Sequence, residues 1–351
     1  MTRALDLAWR GWGRVQPNPL VGAVVLQAGE PIGEGWHPEY GARHAEAMAL
    51  AAAGERARGA TMVVTLEPCS HQGKQPPCTE AIIAAGIRRV VAALPDPNPL
   101  AAGGGDLLRR AGIEIDIGLA ESAAAAQNAI FLHSVRNPGR PYVALKLATT
   151  LNGRIADGYG HSRWISGEQG RAFVQWLRAG FDAIAVGGRT ARLDDPSLTV
   201  RGPVSPRVAP RRVVFDRAAD LGPQLTLVRT ASEIPTIAVV AAAADPSRIK
   251  RLEGAGVTVI SADGLEQALS SLRQLGIASL LVEGGGQLAG ALLASGLVDR
   301  YYWLQAPLWL GDDAVPAVAG LPSRELSQSE RWRVIERRSL DDDTLLVLDR
   351  G

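Results

Sequence analysis

Four side chains could do chemistry together: His44 and Glu46 in His44-Ala45-Glu46, Cys69 after Pro68, and Cys78 after Pro76-Pro77. One imidazole and two thiolates are zinc donors, and three protein donors leave one of the ion's four tetrahedral positions open. An open position binds water and lowers its pKa towards ~7, so hydroxide becomes available at neutral pH. That describes a hydrolytic centre. Glu46, a carboxylate off the metal, can take the water's proton and pass it on.

Spacing sets how these donors converge. Cys69 and Cys78 stand nine positions apart, and nine residues of helix would hold them ~13 Å from each other, too far for one ion. The segment Ser70 to Pro77 must therefore loop. Gly73 permits unusual backbone angles, and Pro76-Pro77 delays helix until Cys78. A cysteine at a helix N-terminus is more easily held as thiolate. His44 and Glu46, two positions apart, do not share a helix face, so the pair belongs at the irregular start of a helix. H-x-E with P-C and a further cysteine is the pattern of zinc-dependent base deaminases, whose glutamate delivers its proton to a ring nitrogen and then to departing ammonia. The usual gap of two residues between cysteines is eight here.

The elements that must position these residues alternate. The pattern predicts a helix over Ala4 to Trp9, strands Leu20 to Leu26 and Thr61 to Leu66, a helix His44 to Ala53, and a helix Thr79 to Ala85. Strand Arg89 to Ala93, a helix near Leu107, strand Ile113 to Ile117 and one long helix from Leu119 to about Val135 follow. Asn137-Pro138-Gly139-Arg140-Pro141 then interrupts regular structure. Domains are expected over residues 1–140 and 141–351. The second half predicts strands near residues 142–147, 183–186, 213–216, 236–240, 257–260 and 279–283 with intervening helices, then a β-like run at 301–305 and a closing antiparallel hairpin at 332–336 and 344–348. The fold class is α/β, with a mixed second sheet.

With 351 residues, 46% of them hydrophobic and 21% charged, the chain can bury two cores. Its 37 basic and 36 acidic residues leave +1, so no global field draws it to nucleic acid or anionic membranes, and neither partner is expected. An anionic small molecule must be held by locally placed arginines and backbone N–H groups. Two cysteines make no disulfide framework and fit a reducing compartment. The N-terminal stretch lacks the apolar core of about 7–15 residues that a signal peptide needs, and no run of ~20 apolar residues could span a bilayer. The expected location is cytoplasmic.

Gln16-Pro17-Asn18-Pro19-Leu20-Val21-Gly22-Ala23-Val24, His44-Ala45-Glu46, Thr65-Leu66-Glu67-Pro68-Cys69-Ser70-His71 through Cys78, and Asp96-Pro97-Asn98-Pro99 resemble one family. It is the bifunctional riboflavin-biosynthesis deaminase-reductase family, a pyrimidine deaminase fused to a 5-amino-6-(5-phosphoribosylamino)uracil reductase, and the long cysteine gap is its form of the zinc motif. Lys146 to Ala156, Ser162-Arg163-Trp164-Ile165, Asp194 to Arg201 and Val282-Glu283-Gly284-Gly285 extend the resemblance over the second half. It implies a cytidine-deaminase-like α/β/α domain followed by a dihydrofolate-reductase-like domain, working as a homodimer or homotetramer. The implied first reaction removes the 2-amino group of 2,5-diamino-6-ribosylamino-4(3H)-pyrimidinone 5′-phosphate, with Asn18, His37, His71 and Lys74 holding substrate. Taken alone, Lys74 and His37 read as surface residues and Asn18 as turn chemistry.

In the second half no strand is followed by G-x-G-x-x-G, which disfavours an ordinary Rossmann site. Strand 279–283, Gly284-Gly285-Gly286 and a helix from Gln287 form a different phosphate cradle. The resemblance implies NADPH there. Ala148, Trp164, Thr190, Asp194 and the run Gly285, Gly286, Gln287, Leu288, Ala289, Gly290 and Ala291 line the cofactor. Ser162, Arg178, Leu198, Arg201 and Glu283 line the sugar phosphate, with arginines forking onto phosphate and Glu283 accepting from ribose hydroxyls. Lys146 and Asp194 are candidates for proton handling. Asn152 stands where the family usually has Asp, so a carboxylate role at that turn is lost, whereas a turn-capping role is preserved. Two other readings stay open: a nucleoside or tRNA deaminase with an unrelated or inactive C-terminal nucleotide-binding domain, and a structural zinc closed by His71.

Overall fold

The strands of the first half are β1 (Gly22–Gln27), β2 (Glu30–Trp36), β3 (Thr61–Val64), β4 (Arg89–Ala92) and β5 (Glu114–Ile117), and β-branched residues mark all of them except β2. Their order in the sheet is β2-β1-β3-β4-β5, with β1 antiparallel to both neighbours and β3, β4 and β5 parallel. Helices α1 (Thr2–Ala8), α2 (Ala45–Ala53), α3 (Cys78–Ala84), α4 (Gly104–Arg110), α5 (Glu121–Gln127) and α6 (Ala129–Arg136) flank it. Val25, Ala49, Met62, Ile82, Val90 and Leu108 form a continuous buried core between sheet and helices. The computed structural model describes residues 1–350. It divides into two compact units, Met1–Arg136 and Asn137–Gly351.

Strand β2 has no counterpart in the sequence pattern, because Pro31, Gly33 and Gly35 are poor strand formers. The glycines are there for α2. A Cβ on Gly33 would lie 2.3 Å from the Ala49 carbonyl oxygen, and one on Gly35 2.2 Å from that of Ala45. Helix α2 thus rests directly on β2 backbone, which fixes the position of its first turn and of Glu46 within it. The single helix expected over Leu119 to Val135 is two helices, broken at Asn128. The Asn128 amide leaves the helix to clasp the Leu20 backbone, accepting from its N–H at 2.8 Å and donating to its carbonyl at 3.0 Å.

In the second unit, β6 (Tyr142–Thr149), β7 (Arg154–Ala156), β8 (Ala183–Gly187), β9 (Arg211–Phe215), β10 (Thr236–Val240), β11 (Thr258–Ser261), β12 (Ser279–Glu283), β13 (Arg300–Gln305), β14 (Val315–Pro316), β15 (Trp332–Leu340) and β16 (Asp343–Arg350) are the strands. Nine of them form one sheet in the order β11-β10-β9-β8-β12-β6-β13-β16-β15, and β7 pairs with β14 in a small ribbon. The sheet is parallel from β11 to β13, and β16 and β15 return antiparallel, so it is mixed as expected. Helices α7 (Glu168–Ala179), α8 (Gly188–Asp194), α9 (Thr226–Arg229), α10 (Pro246–Gly254), α11 (Leu265–Gln274) and α12 (Gly286–Ala294) complete the unit. Helix α8 was not anticipated because two glycines open its segment. They let the chain turn straight from β8 into the helix, where a Cβ on Gly188 would meet Asp216 Oδ1 at 2.5 Å. No helix among the described residues is long and apolar enough to cross a membrane.

Candidate active sites and family

His44 is the N-cap residue of α2, with extended backbone, and Glu46 lies buried in the helix's first turn. Cys69 sits in the loop after β3, and Cys78 is the first residue of α3. The Cys69 loop is tied down on both sides: Thr79 N–H donates to the Cys69 carbonyl at 3.3 Å, and Ser70 Oγ to the Ala102 carbonyl at 2.9 Å. Before it, the buried Glu67 carboxylate accepts from Gly105 N–H at 2.7 Å and Asp96 N–H at 3.0 Å.

The three donors fit zinc. Bond lengths of about 2.0 Å to nitrogen and 2.3 Å to sulfur give a tetrahedral N-to-S edge of ~3.5 Å. His44 Nδ1 lies 3.2 Å from Cys78 Sγ and 3.6 Å from Cys69 Sγ. Ligand atoms of these three residues fall within 4.8 Å of one another, and His71 is outside the group. Among the described residues no fourth protein donor closes the cluster, which removes the ground for a structural zinc.

Electrostatics prepare the same residues. Cys78 donates to Cys69 and, with His44, pulls the Cys69 thiol down to about 4 against its burial. The same bond and burial push the Cys78 thiol up. Burial, then the negative Cys69, raises Glu46 to about 7, with His44 opposing. A carboxyl poised there can both take and return a proton near neutral pH.

In the second unit, a cleft of about 1450 Å³ follows the carboxyl ends of the parallel strands, where open α/β sheets bind ligands. Lys146 of β6 and Glu283 of β12 pair in register across the sheet at its centre. Arg178 of α7 grips the same carboxylate through Nε at 2.6 Å and Nη2 at 2.9 Å. Gly284 and Gly285 turn with φ of 73° and 86°, a region that favours glycine, and lead into α12.

Residues 1–94 match the cytidine and deoxycytidylate deaminase zinc-binding region, and residues 141–346 match the RibD C-terminal domain. The riboflavin biosynthesis protein RibD of Escherichia coli (strain K12) is 41% identical, the match covering 99% of this chain and 98% of that protein. That of Aquifex aeolicus is 39% identical over 100% of this chain and 97% of the relative. The chain belongs to the RibD family. Solved structures agree: Acinetobacter baumannii RibD superposes with a TM-score of 0.83 at 38% identity, covering 100% of this chain and 97% of that one. A deaminase/reductase from Thermotoga maritima gives a TM-score of 0.84 at 35% identity, with the same coverage.

As a RibD, the protein is a bifunctional deaminase and reductase of riboflavin biosynthesis. The reading with an unrelated C-terminal domain falls, because that half is itself the RibD C-terminal domain.

The fold gathers most of the sequence-predicted residues. His37 is buried, not on the surface, and Asn18 Nδ2 meets its Nε2 at 3.0 Å. The His37 ring stands edge-on to His44 with centroids 5.4 Å apart. Lys74 Nζ lies 4.0 Å above the Tyr40 ring, and His71 keeps a buried Nδ1 without a partner among the described residues.

Ala148, Ser162, Trp164, Thr190, Asp194, Leu198 and Arg201 all line the second cleft, as do Gly285, Gly286, Gln287, Leu288 and Ala291. Ala289 and Gly290 do not. Ala289 faces the hydrophobic core, and Gly290 is where α12 touches other backbone, a Cβ there falling 1.8 Å from the Ala319 carbonyl oxygen. A contiguous run on a helix cannot face one ligand with every residue. Arg178 and Glu283 line the same cleft and pair with each other there, and Arg178 Nη1 also holds the Thr199 carbonyl at 2.9 Å. Asp194 pairs with Ser162 at 3.4 Å and not with Lys146.

Asn152 caps a turn. Its Oδ1 accepts from Thr150 Oγ1 at 2.7 Å and its Nδ2 donates to the Leu310 carbonyl at 2.8 Å, outside the cleft. Sequence reasoning missed Glu67 and Asn128, buried polar residues that brace the first site; Glu67 within Leu66-Glu67-Pro68-Cys69 was a signal that could have been followed.

Proposed function

We propose that the first unit hydrolyses the 2-amino group of 2,5-diamino-6-ribosylamino-4(3H)-pyrimidinone 5′-phosphate and that the second reduces the ribosyl group of the product with NADPH. A zinc ion on His44, Cys69 and Cys78 supplies Lewis acidity and an open position for water. Glu46 takes one proton of the attacking water and hands it to the adjacent ring nitrogen, then takes the second from the hydroxyl of the adduct and hands it to the leaving amine, so ammonia departs neutral. Asn18 and His37 orient the pyrimidine edge, and Lys74 and His71 receive the ribose phosphate. In the second unit NADPH supplies a hydride to C1′. Opening and reducing the ribose takes up one hydride and one proton, and Lys146, buried against Glu283 and Arg178, delivers that proton.

The Arg178–Glu283 pair works as a rigid charged wall that keeps Lys146 aimed into the cleft. Arg201, exposed at the same cleft, is a cation available to the sugar phosphate. Two unpaired cysteines support a cytoplasmic location, and family membership supports a homo-oligomer.

One observation carries the reading: a buried carboxyl, Glu46, in the first turn of α2 beside a three-donor cluster of His44, Cys69 and Cys78. The test incubates zinc-loaded protein with the diaminopyrimidine ribosyl phosphate, with and without NADPH, and follows ammonia and cofactor absorbance separately. Glu46→Gln is expected to keep its zinc and lose ~10²–10⁴-fold in ammonia release. Unchanged turnover would remove Glu46 from the mechanism.

A further inference from the structure

The chain leaving α8 has no helix or strand to hold it from Asp195 to Arg201, yet Asp195, Ser197, Leu198 and Arg201 all line the reductase cleft. Two of these residues turn against their preference, Asp195 with φ of 39° and Leu198 with φ of 48°. The left-handed region is costly for a bulky side chain such as leucine, and it persists only where the surroundings over-determine it.

The surroundings supply three ties. At the entry, the Asp195 carboxylate accepts from Thr226 N–H at 2.7 Å and from Thr226 Oγ1 at 2.8 Å. Just after the buried Leu198, the Thr199 carbonyl accepts from Arg178 Nη1 at 2.9 Å. At the exit, Arg201 N–H donates to Gln175 Oε1 at 2.7 Å. Gln175 and Arg178 stand three positions apart on α7 and so share one face of that helix. That face grips both main-chain groups that follow the left-handed turn. Arg178 is committed to Glu283 as well, whereas Gln175 has no other hydrogen-bond partner among the described residues. Its residue type fits the task. A carboxylate beside Arg201 could also accept from the N–H, but it would repel a bound phosphate; the glutamine amide supplies the oxygen without the charge.

We propose that Gln175 is a positioning residue of the reductase: by holding the Arg201 main chain it sets where the Arg201 guanidinium meets the sugar phosphate. This rests on reading the second unit as a reductase of a ribosyl phosphate. Gln175 acts through Arg201, so it governs recognition of the phosphate and not the transfer of hydride.

The experiment uses the full chain with saturating NADPH and compares the deaminated ribosyl phosphate with its dephosphorylated counterpart, for wild type, Gln175→Met, Arg201→Ala and the double variant. Calorimetry with ribose 5-phosphate is run on the same four proteins. Methionine matches glutamine in length and lacks the oxygen. In Gln175→Met, KM for the phosphorylated substrate is expected to rise, and ribose 5-phosphate affinity to fall, about 10-fold, as for one lost positioning hydrogen bond, with kcat and the KM for NADPH within about twofold of wild type. The dephosphorylated substrate should be turned over as before. Arg201→Ala should cost more, and adding Gln175→Met to it nothing further, because a residue acting through another gives non-additive effects. A wild-type KM in Gln175→Met, an equal rise for both substrates, or additive costs in the double variant overturns the assignment. Gln175 is only partly buried, so the variant is expected to fold. Gln175→Asn, which keeps the amide but falls one methylene short of the Arg201 N–H, tests the same contact a second time with the same expected rise. If wild type oxidises no NADPH, the reductase reading falls, and the ribose 5-phosphate affinities still decide whether Gln175 serves Arg201; there, no binding by wild type overturns it.

Discussion

Asn18 and His37 hold each other in one protonation pattern. Asn18 Nδ2 donates to His37 Nε2 at 3.0 Å, and His37 Nδ1 faces the Arg43 carbonyl at 3.1 Å. A donor at one ring nitrogen and an acceptor at the other define a neutral imidazole with its proton on Nδ1. Burial lowers the His37 pKa in the same sense. We propose that the Asn18 carbonyl oxygen accepts from a base edge of the substrate. Replacing Asn18 by Ala is therefore expected to raise the deaminase KM about 10-fold, the worth of one lost positioning hydrogen bond, with zinc content unchanged. Ammonia-release kinetics and metal analysis of the same preparation check it; loss of zinc would show that Asn18 braces the metal donors instead.

Gly104 has a Cβ position 1.8 Å from the Pro68 carbonyl oxygen, one residue before Cys69. Backbone cannot yield cheaply there, so Gly104→Ala must displace the segment carrying the metal donor. A chelator competition is expected to show zinc held ~10- to 100-fold more weakly, the range typical of disturbed support around a metal site. Unaltered zinc affinity would mean that α4 moves and the Cys69 loop stays.

Lys146 has its pKa lowered from the ordinary lysine value, first by burial and further by Arg178, with Glu283 opposing. The proton-bearing form is the donor, so reductase kcat/KM should fall as pH rises through a value below 10.5. Glu283→Gln removes the opposing negative charge and is expected to move that alkaline limb to lower pH. It also leaves Arg178 buried without its partner, at a cost of about 3–5 kcal/mol. A limb that stays in place, measured with cofactor saturating, would take Lys146 out of the proton transfer.

The two reactions sit in units with separate cores and separate donor sets. Stripping zinc with a strong chelator is expected to abolish ammonia release. NADPH oxidation with the already deaminated substrate should change by less than about twofold, because the second unit has its own core and its own donor set. Parallel loss of both activities would show that the reductase depends on the metal.

Much of the first site was legible because zinc chemistry is written in residue types at short range. His44 and Glu46 are neighbours, and the Gly73 and Pro76-Pro77 loop had to bring Cys78 back to Cys69. The strands rich in Val and Ile were legible for the same local reason. Strand β2 was not, since its glycines answer to α2, an element that packs on it only after folding. The break at Asn128 was hidden too: its partner is Leu20, 108 residues away, and helix periodicity carries no trace of that bond.

In the second unit the residue types at the cleft were readable, and their pairings were not. Arg178 of α7 and Glu283 at the end of β12, 105 positions apart, close on each other because both side chains are largely withdrawn from solvent there. Ala289 and Gly290 turn inward because a helix packed on a sheet gives the ligand only one of its faces.

By itself the sequence determined the candidate metal donors, the carboxylate proposed to carry protons, the two-unit plan and the glycine turn, all of them consequences of local chemistry and spacing. Tertiary structure decided which charges neutralise one another, which histidine is buried and held neutral, and which arginines remain free to meet a phosphate. Those outcomes depend on contacts between distant segments, where desolvation makes an unpaired charge costly and so selects its partner.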